Sequence, residues 1–274
     1  MAARLPGLQR GGHLRYLRLY LSFLRFSFSK ALEFRVDFYF RVGMDGIYYV
    51  VNLAFFTVVY RHTTLLGGWD LDQIYVFVCG FLLVDAVHMT VFSNNLWWLP
   101  IYINRGDLDY YLTRPVSSLF FLSLREFAAN SFLNVIIASG LMVWALARYP
   151  GGLPATRVAL YLLLLAVGAF IYYLVRMLFI IPVFWLHSNR GLDEVSWSLT
   201  KLMERPHQIY RDWLRIGLLT VLPLALVVSL PAQMLFEGAT PAMLLYLAAT
   251  TCALAVVVQA FWRRGLAAYS SASS

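Results

Sequence analysis

Asp85 and His88 stand three residues apart inside an apolar run, so on a helix they share one face. Arg176 lies inside another apolar run, and Asp45 at the edge of a third. A charged side chain at the centre of a bilayer costs about 2.5–3.5 kcal/mol on insertion scales, so each needs a partner or an aqueous surface. Two readings stay open for this intramembrane polar set. Asp85 faces an interior or aqueous cavity, pairing there with Arg176 or His88 and suiting a cation, or the set is a structural ion pair within one subunit. Enzyme chemistry has no comparable footing. There is no Gly-x-Ser-x-Gly and no His-Glu-x-x-His, and Asp45 in Gly-Met-Asp-Gly is only half of a paired-aspartate arrangement. The five histidines are scattered without metal-ligand spacing. Cys79 and Cys252 both lie in apolar runs and read as reduced packing residues. No Gly-Lys dipeptide occurs, so the chain has no phosphate-cradling loop. No catalytic residue, metal site or cofactor site is expected on this chain.

The most distinctive polar segment is LPIYINRGDLDYYLTRPVSSLF, residues 99–120. Gly106 supplies a sharp turn. Asp107 is placed to cap a short helix over 108–113, and Pro115 stops it by restricting Arg114. Leu108, Tyr111 and Leu112 fall on one face of that helix, which leaves Tyr110 and Arg114 pointing elsewhere. Such an element suits docking in another protein's groove; a re-entry turn lying on the membrane surface is the other reading.

The elements that must position these groups follow from composition. Of 274 residues, 61% are hydrophobic and 13% charged, with a mean hydropathy of +0.68. A soluble domain averages about 45–50% apolar and about 25% charged, so a water-soluble domain is excluded. The apolar residues form six blocks: 42–60, 74–96, 118–147, 158–185, 216–236 and 242–262. Each is long enough for about 30 Å of hydrocarbon and must be helical there, because backbone amides have no water to bond. A barrel would instead alternate polar and apolar residues. The expected fold is therefore an all-α integral membrane protein with six transmembrane helices. Residues 1–33 form an N-terminal basic region with an amphipathic interfacial helix, 34–264 the six-helix transmembrane domain, and 265–274 a short tail. In the first region Leu14, Leu17, Leu21, Leu24 and Phe28 share a side beside Arg15, Arg18, Ser22 and Arg25. That helix lies in the membrane interface or packs on another protein.

The net charge of +8 is mostly topology. With the N-terminus inside and six spans, only Arg61, Arg148 and Arg157 fall outside, and Arg176 sits within a span. The positive-inside rule thus places both termini in the cytoplasm. Long apolar blocks between the charges point to lipid rather than nucleic acid as the basic chain's partner.

The stretch from Arg105 to Val116, RGDLDYYLTRPV, resembles the cytoplasmic loop of type-2 ABC exporter permeases, in which a Gly, an acidic-Leu pair and a terminal Arg-Pro-Val recur. The layout of the chain over residues 14–264 is similar too, closest to the viologen-exporter-like branch. The resemblance implies a permease of a bacterial inner membrane that is not itself an ATPase. Two separate nucleotide-binding subunits would bind ATP and Mg, and a second permease, identical or sister, would complete the path. It implies that Gly106, Asp107, Leu108, Tyr110, Tyr111, Thr113 and Arg114 form the ATPase-coupling loop. Within the polar loop 187–215, Glu204, Arg205 and Arg211 form a second cytoplasmic contact or merely a solvated face. The resemblance also implies re-entrant helices near 229–241, a stretch short for a full pair. The rival class is a membrane protein not driven by ATP, either an ion-coupled carrier or an assembly scaffold. A carrier of that kind should show interrupted helices in two matching halves, and no internal repeat is visible.

Overall fold

Apolar segments without water close their hydrogen bonds internally, and the chain does so as helices. The computed structural model describes residues 12–31, 35–129, 131–188 and 190–269. Four helical stretches among them are long and apolar enough to cross a membrane: Val42–Val59, Leu71–Arg105, Ala155–Leu186 and Pro241–Ala268. They coincide with the expected first, second, fourth and sixth spans. Both chain termini lie outside the described residues.

In chain order, α1 is Gly12–Ala31 and α2 is Arg35–Val59. Helix α3, Leu71–His88, starts at a capping box in which Asp70 and Gln73 bond each other's backbone amides at 2.9 and 3.0 Å. It continues through a π-helical segment, Met89–Ser93, into α4, Asn94–Arg105. This 35-residue rod is about 50 Å long at 1.5 Å per residue. It therefore outruns a hydrocarbon core of about 30 Å. Gly106, at φ 79°, ends it in the left-handed region that favours glycine. A single turn, α5, Asp109–Leu112, follows, then α6, Ser118–Leu124, and α7, Phe132–Arg148. Helix α8, Ala155–Ile180, is followed by the short α9, Val183–Leu186, and α10, Arg190–Thr200, which a 3-10 turn extends over Lys201–Glu204. Helices α11, Asp212–Thr220, and α12, Ser229–Glu237, precede α13, Pro241–Ala268. Thr240 caps α13, and Pro241 occupies its first turn.

One end of the bundle holds the 106–117 turn with the C-terminal end of α13: the Trp262 Nε1–H donates to Ser118 Oγ at 3.2 Å. The other end holds Arg148 bonded to Asp72 at 2.8 Å, and Phe236 packed against Trp69 and Tyr149.

Two expected spans are built differently. The block 118–147 is not one helix: it breaks over 125–131, between α6 and α7. The block 216–236 is not a helix either. Helices α11 and α12 flank an irregular stretch whose Val227 carbonyl lies against Gly168, halfway along α8, so closely that any Cβ there would collide with it. Phe236 then lies back at the Arg148 end. The polar segment expected as a cytoplasmic loop instead climbs the bundle. Asp193 and Ser196 bond Arg176, Thr200 accepts from Tyr172, Glu204 from Tyr48, and Gln208 and Ile209 abut Gly67 in the loop beside Trp69. Residues 190–209 thus run from the end holding the 106–117 turn to the opposite one. Their mixed polarity explains why periodicity of apolar residues did not mark them.

Helix α1 lies along α6 rather than free of the bundle. Tyr16 Oη accepts the Ser117 amide at 3.3 Å, Tyr16 and Phe23 meet Phe120 and Phe121 edge-on, and Ser27 Oγ accepts the Phe127 amide at 3.2 Å. Arg18, Leu21 and Ser22 point away. The expected leucine row is therefore divided, with Leu21 exposed and Leu24 half-buried.

Candidate functional site

The 106–117 turn stands at the tip of the 35-residue rod, and its side chains sort into a base and a crown. Leu108 is the base: it is fully buried, at 0% exposure, in the core cluster. Tyr111 is half-buried against Tyr102 and Phe121. Leu112 was expected beside them but is exposed, because the helix is one turn long and its last residue projects past the core. Asp107 does not cap the helix. Its N-cap position is Leu108, and no side-chain cap bond forms. Asp107 is exposed instead.

The crown consists of Tyr110, at 64% exposure, with Leu112, Thr113 and Arg114. Arg114 Nη2 donates to Tyr110 Oη at 2.7 Å, and its guanidinium lies 4.8 Å from the Tyr110 ring centre and 4.9 Å from that of Phe121. Thr113 Oγ1–H donates to the Tyr110 carbonyl at 3.1 Å. An aromatic ring and an arginine held in one arrangement before any partner arrives suit protein docking, since tyrosine and arginine dominate interface hot spots and preorganisation lowers the ordering cost.

Behind the turn lies a polar knot that sequence reasoning missed. Arg125 donates to Tyr111 Oη and, at 2.8 Å, to Glu126 Oε1. Asn94 Nδ2 donates to Glu126 Oε2 at 2.5 Å. Asn95 pairs with the Glu126 backbone in both directions: it accepts from the amide at 2.9 Å and donates to the carbonyl at 2.7 Å. The Arg-Glu dipeptide inside an apolar block and the Asn-Asn pair at the end of another were the available signals.

The intramembrane polar residues do not form one site. Arg176, 8% exposed, pairs with Asp193 at 3.1 Å and Ser196 at 2.9 Å and lies over the Trp197 ring. It does not pair with Asp85. His88 is buried and packs against Tyr172 with its ring tilted by 31°, at 4.0 Å between ring centres. Asp85 is partly buried and has no ion-pair partner among the described residues. Asp45 itself accepts from Asn134 Nδ2. No group of three metal-ligating side chains occurs among the described residues.

Glu204, Arg205 and Arg211 do not gather with the 106–117 turn. Tyr48 donates to Glu204 at 3.4 Å in the middle of α2, Arg205 lies over Phe55 nearer that helix's far end, and Arg211 opens α11 beyond both. A second contact on the face of the turn is therefore not their arrangement. Beside them His207 is buried with Nδ1 2.6 Å from Ser229 Oγ.

Comparison with known proteins adds one match. A family described as ABC-2 family transporter protein covers residues 47–273. No curated protein and no solved structure matches the chain.

Proposed function

Because the chain belongs to the ABC-2 transporter family, as a multi-pass permease component that associates with an ATPase subunit, we propose that it is the membrane half of an ATP-driven exporter. Its seat is a bacterial inner membrane. Two permeases, two copies of this chain or this chain and a sister, engage two nucleotide-binding subunits. Those partners bind ATP and Mg and carry out the hydrolysis; this chain transmits the motion.

The observation that carries the reading is the turn at the rod's tip. Buried Leu108 fixes it, the rod carries it clear of the hydrocarbon, and Tyr110, Leu112, Thr113 and Arg114 face outward. Six crossings fit the described helices: α2, α3 with α4, α6 with α7, α8 with α9, α10 with its 3-10 extension, and α13. That layout keeps both termini and the turn in the cytoplasm. It shifts Arg205, Arg211 and Arg215 toward the outer half, and it makes α11 and α12 a re-entrant pair. The viologen-exporter-like resemblance belongs to this proposal as well. Asp85, partly buried in α3 and without an ion-pair partner among the described residues, favours positively charged cargo.

Co-expression with a candidate ATPase tests the reading. The complex should co-purify with ATPase activity, and Tyr110→Asp should lower recovery of the ATPase about tenfold or more, the scale of a lost hot spot. Leu108→Asp would not serve, because Leu108 supports the turn itself. A chain recovered with no ATPase, or a Tyr110→Asp complex recovered in full, leaves the carrier or scaffold reading in its place.

A further inference from the structure

We propose that Arg125 is a positioning residue that carries displacement of the 106–117 turn into the membrane-spanning helices through the break between α6 and α7. The proposal rests on the turn being the ATPase contact and adds the route by which that contact is felt inside the membrane.

Two interrupted hydrogen-bond ladders lie back to back here. The break over 125–131 removes helical partners from the Glu126 and Ala128 backbone groups. The neighbouring rod supplies replacements from its π segment and from the first turn of α4. The Ala128 amide donates to the Thr90 carbonyl at 2.8 Å, inside the π segment, and the Asn95 carboxamide, 3% exposed, takes both Glu126 groups. Unpaired backbone groups at such depth would be costly, so each defect requires the other. Helices bend and shift at π insertions and at breaks more readily than along intact stretches. The paired defects therefore form the point at which the rod and the third span can move together.

Arg125 joins that point to the turn. One guanidinium nitrogen holds Tyr111 Oη of the turn, the other holds Glu126, and Glu126 holds Asn94. The guanidinium plane lies 4.9 Å from the Tyr111 ring centre and 5.1 Å from that of Tyr102. A planar fork can bond two acceptors at once while stacked on rings; a lysine ammonium is a point charge without that geometry. The Phe127 amide on Ser27 Oγ ties the same break to α1.

The test uses the assembled permease–ATPase complex in lipid nanodiscs. A Cys252→Ser chain carries Thr64→Cys in the loop between α2 and α3, labelled with an environment-sensitive fluorophore. In the parent complex, Mg-ATP should change the emission. In Arg125→Lys, complex recovery and ATPase rate should stay within about twofold of the parent while the emission change falls at least fivefold. Arg125→Met should show the same split if it assembles. An Arg125→Lys complex that hydrolyses ATP and keeps the full emission change overturns the proposal. So does one in which hydrolysis and emission fall in parallel, since Arg125 would then be structural only. Failure of the parent complex to form would instead overturn the ATPase-contact reading, and a parent complex that hydrolyses ATP with no emission change would overturn the proposed route.

Discussion

Arg176 shows what a charge inside an apolar helix requires. Its guanidinium is satisfied by Asp193, Ser196 and the Trp197 face, all on α10, so it fastens a polar helix to an apolar one. Arg176→Gln leaves Asp193 without its cation at a position a quarter exposed. The expected loss is about 3 kcal/mol, the low end for a broken buried pair. Thermal melting in detergent checks this, and adding Asp193→Asn should recover part of the loss. An unchanged melting temperature would show that the pair does not hold α10 in place.

At the scale of elements, hydropathy was a sound guide wherever a helix is apolar all round or nearly so. Helices α2, α3, α8 and α13 were legible for that reason, and the glycine stop at 106 was legible from its chemistry. Residues 190–204 were not, because a helix that sets Asp193 and Ser196 on Arg176 has the composition of a loop. Residues 216–236 were misread in the opposite sense: they are apolar enough for a span but belong to two short helices on either side of Val227. In the turn, the residue types were legible and their division was not. Leu108 and Leu112 are one turn apart on the same side, but only Leu108 reaches the core and Leu112 stands a turn beyond it, and Asp107 lies before the capping position. The six-crossing layout makes a directional prediction. In a Cys252→Ser chain, Gln208→Cys should react with a membrane-impermeant maleimide added to intact cells stripped of their outer membrane, and Asp107→Cys should react only after lysis. Protection of Gln208→Cys in intact cells would return residues 187–215 to the cytoplasmic side.

For the whole molecule, length and placement join the levels. A rod about 50 Å long cannot be hidden in about 30 Å of hydrocarbon, so its Arg105 end projects and presents Tyr110 and Arg114. Trp97 and Trp98, both exposed within α4, sit where such a rod would leave the membrane, as interfacial tryptophans do. Helix α1 braces α6, which begins directly after the turn, and the Arg125 knot lies immediately behind. The central claim is that this projecting turn seats a separate ATPase. Its most direct measurement is photocrosslinking in intact cells from a benzophenone amino acid placed at Tyr110, with one at exposed Val58, near the far end of α2, as control. The account expects an adduct from position 110 to a chain that mass spectrometry identifies by its Gly-rich, Lys-containing phosphate loop, and no such adduct from position 58. Crosslinks from position 110 only to lipid or to proteins lacking that loop would contradict it.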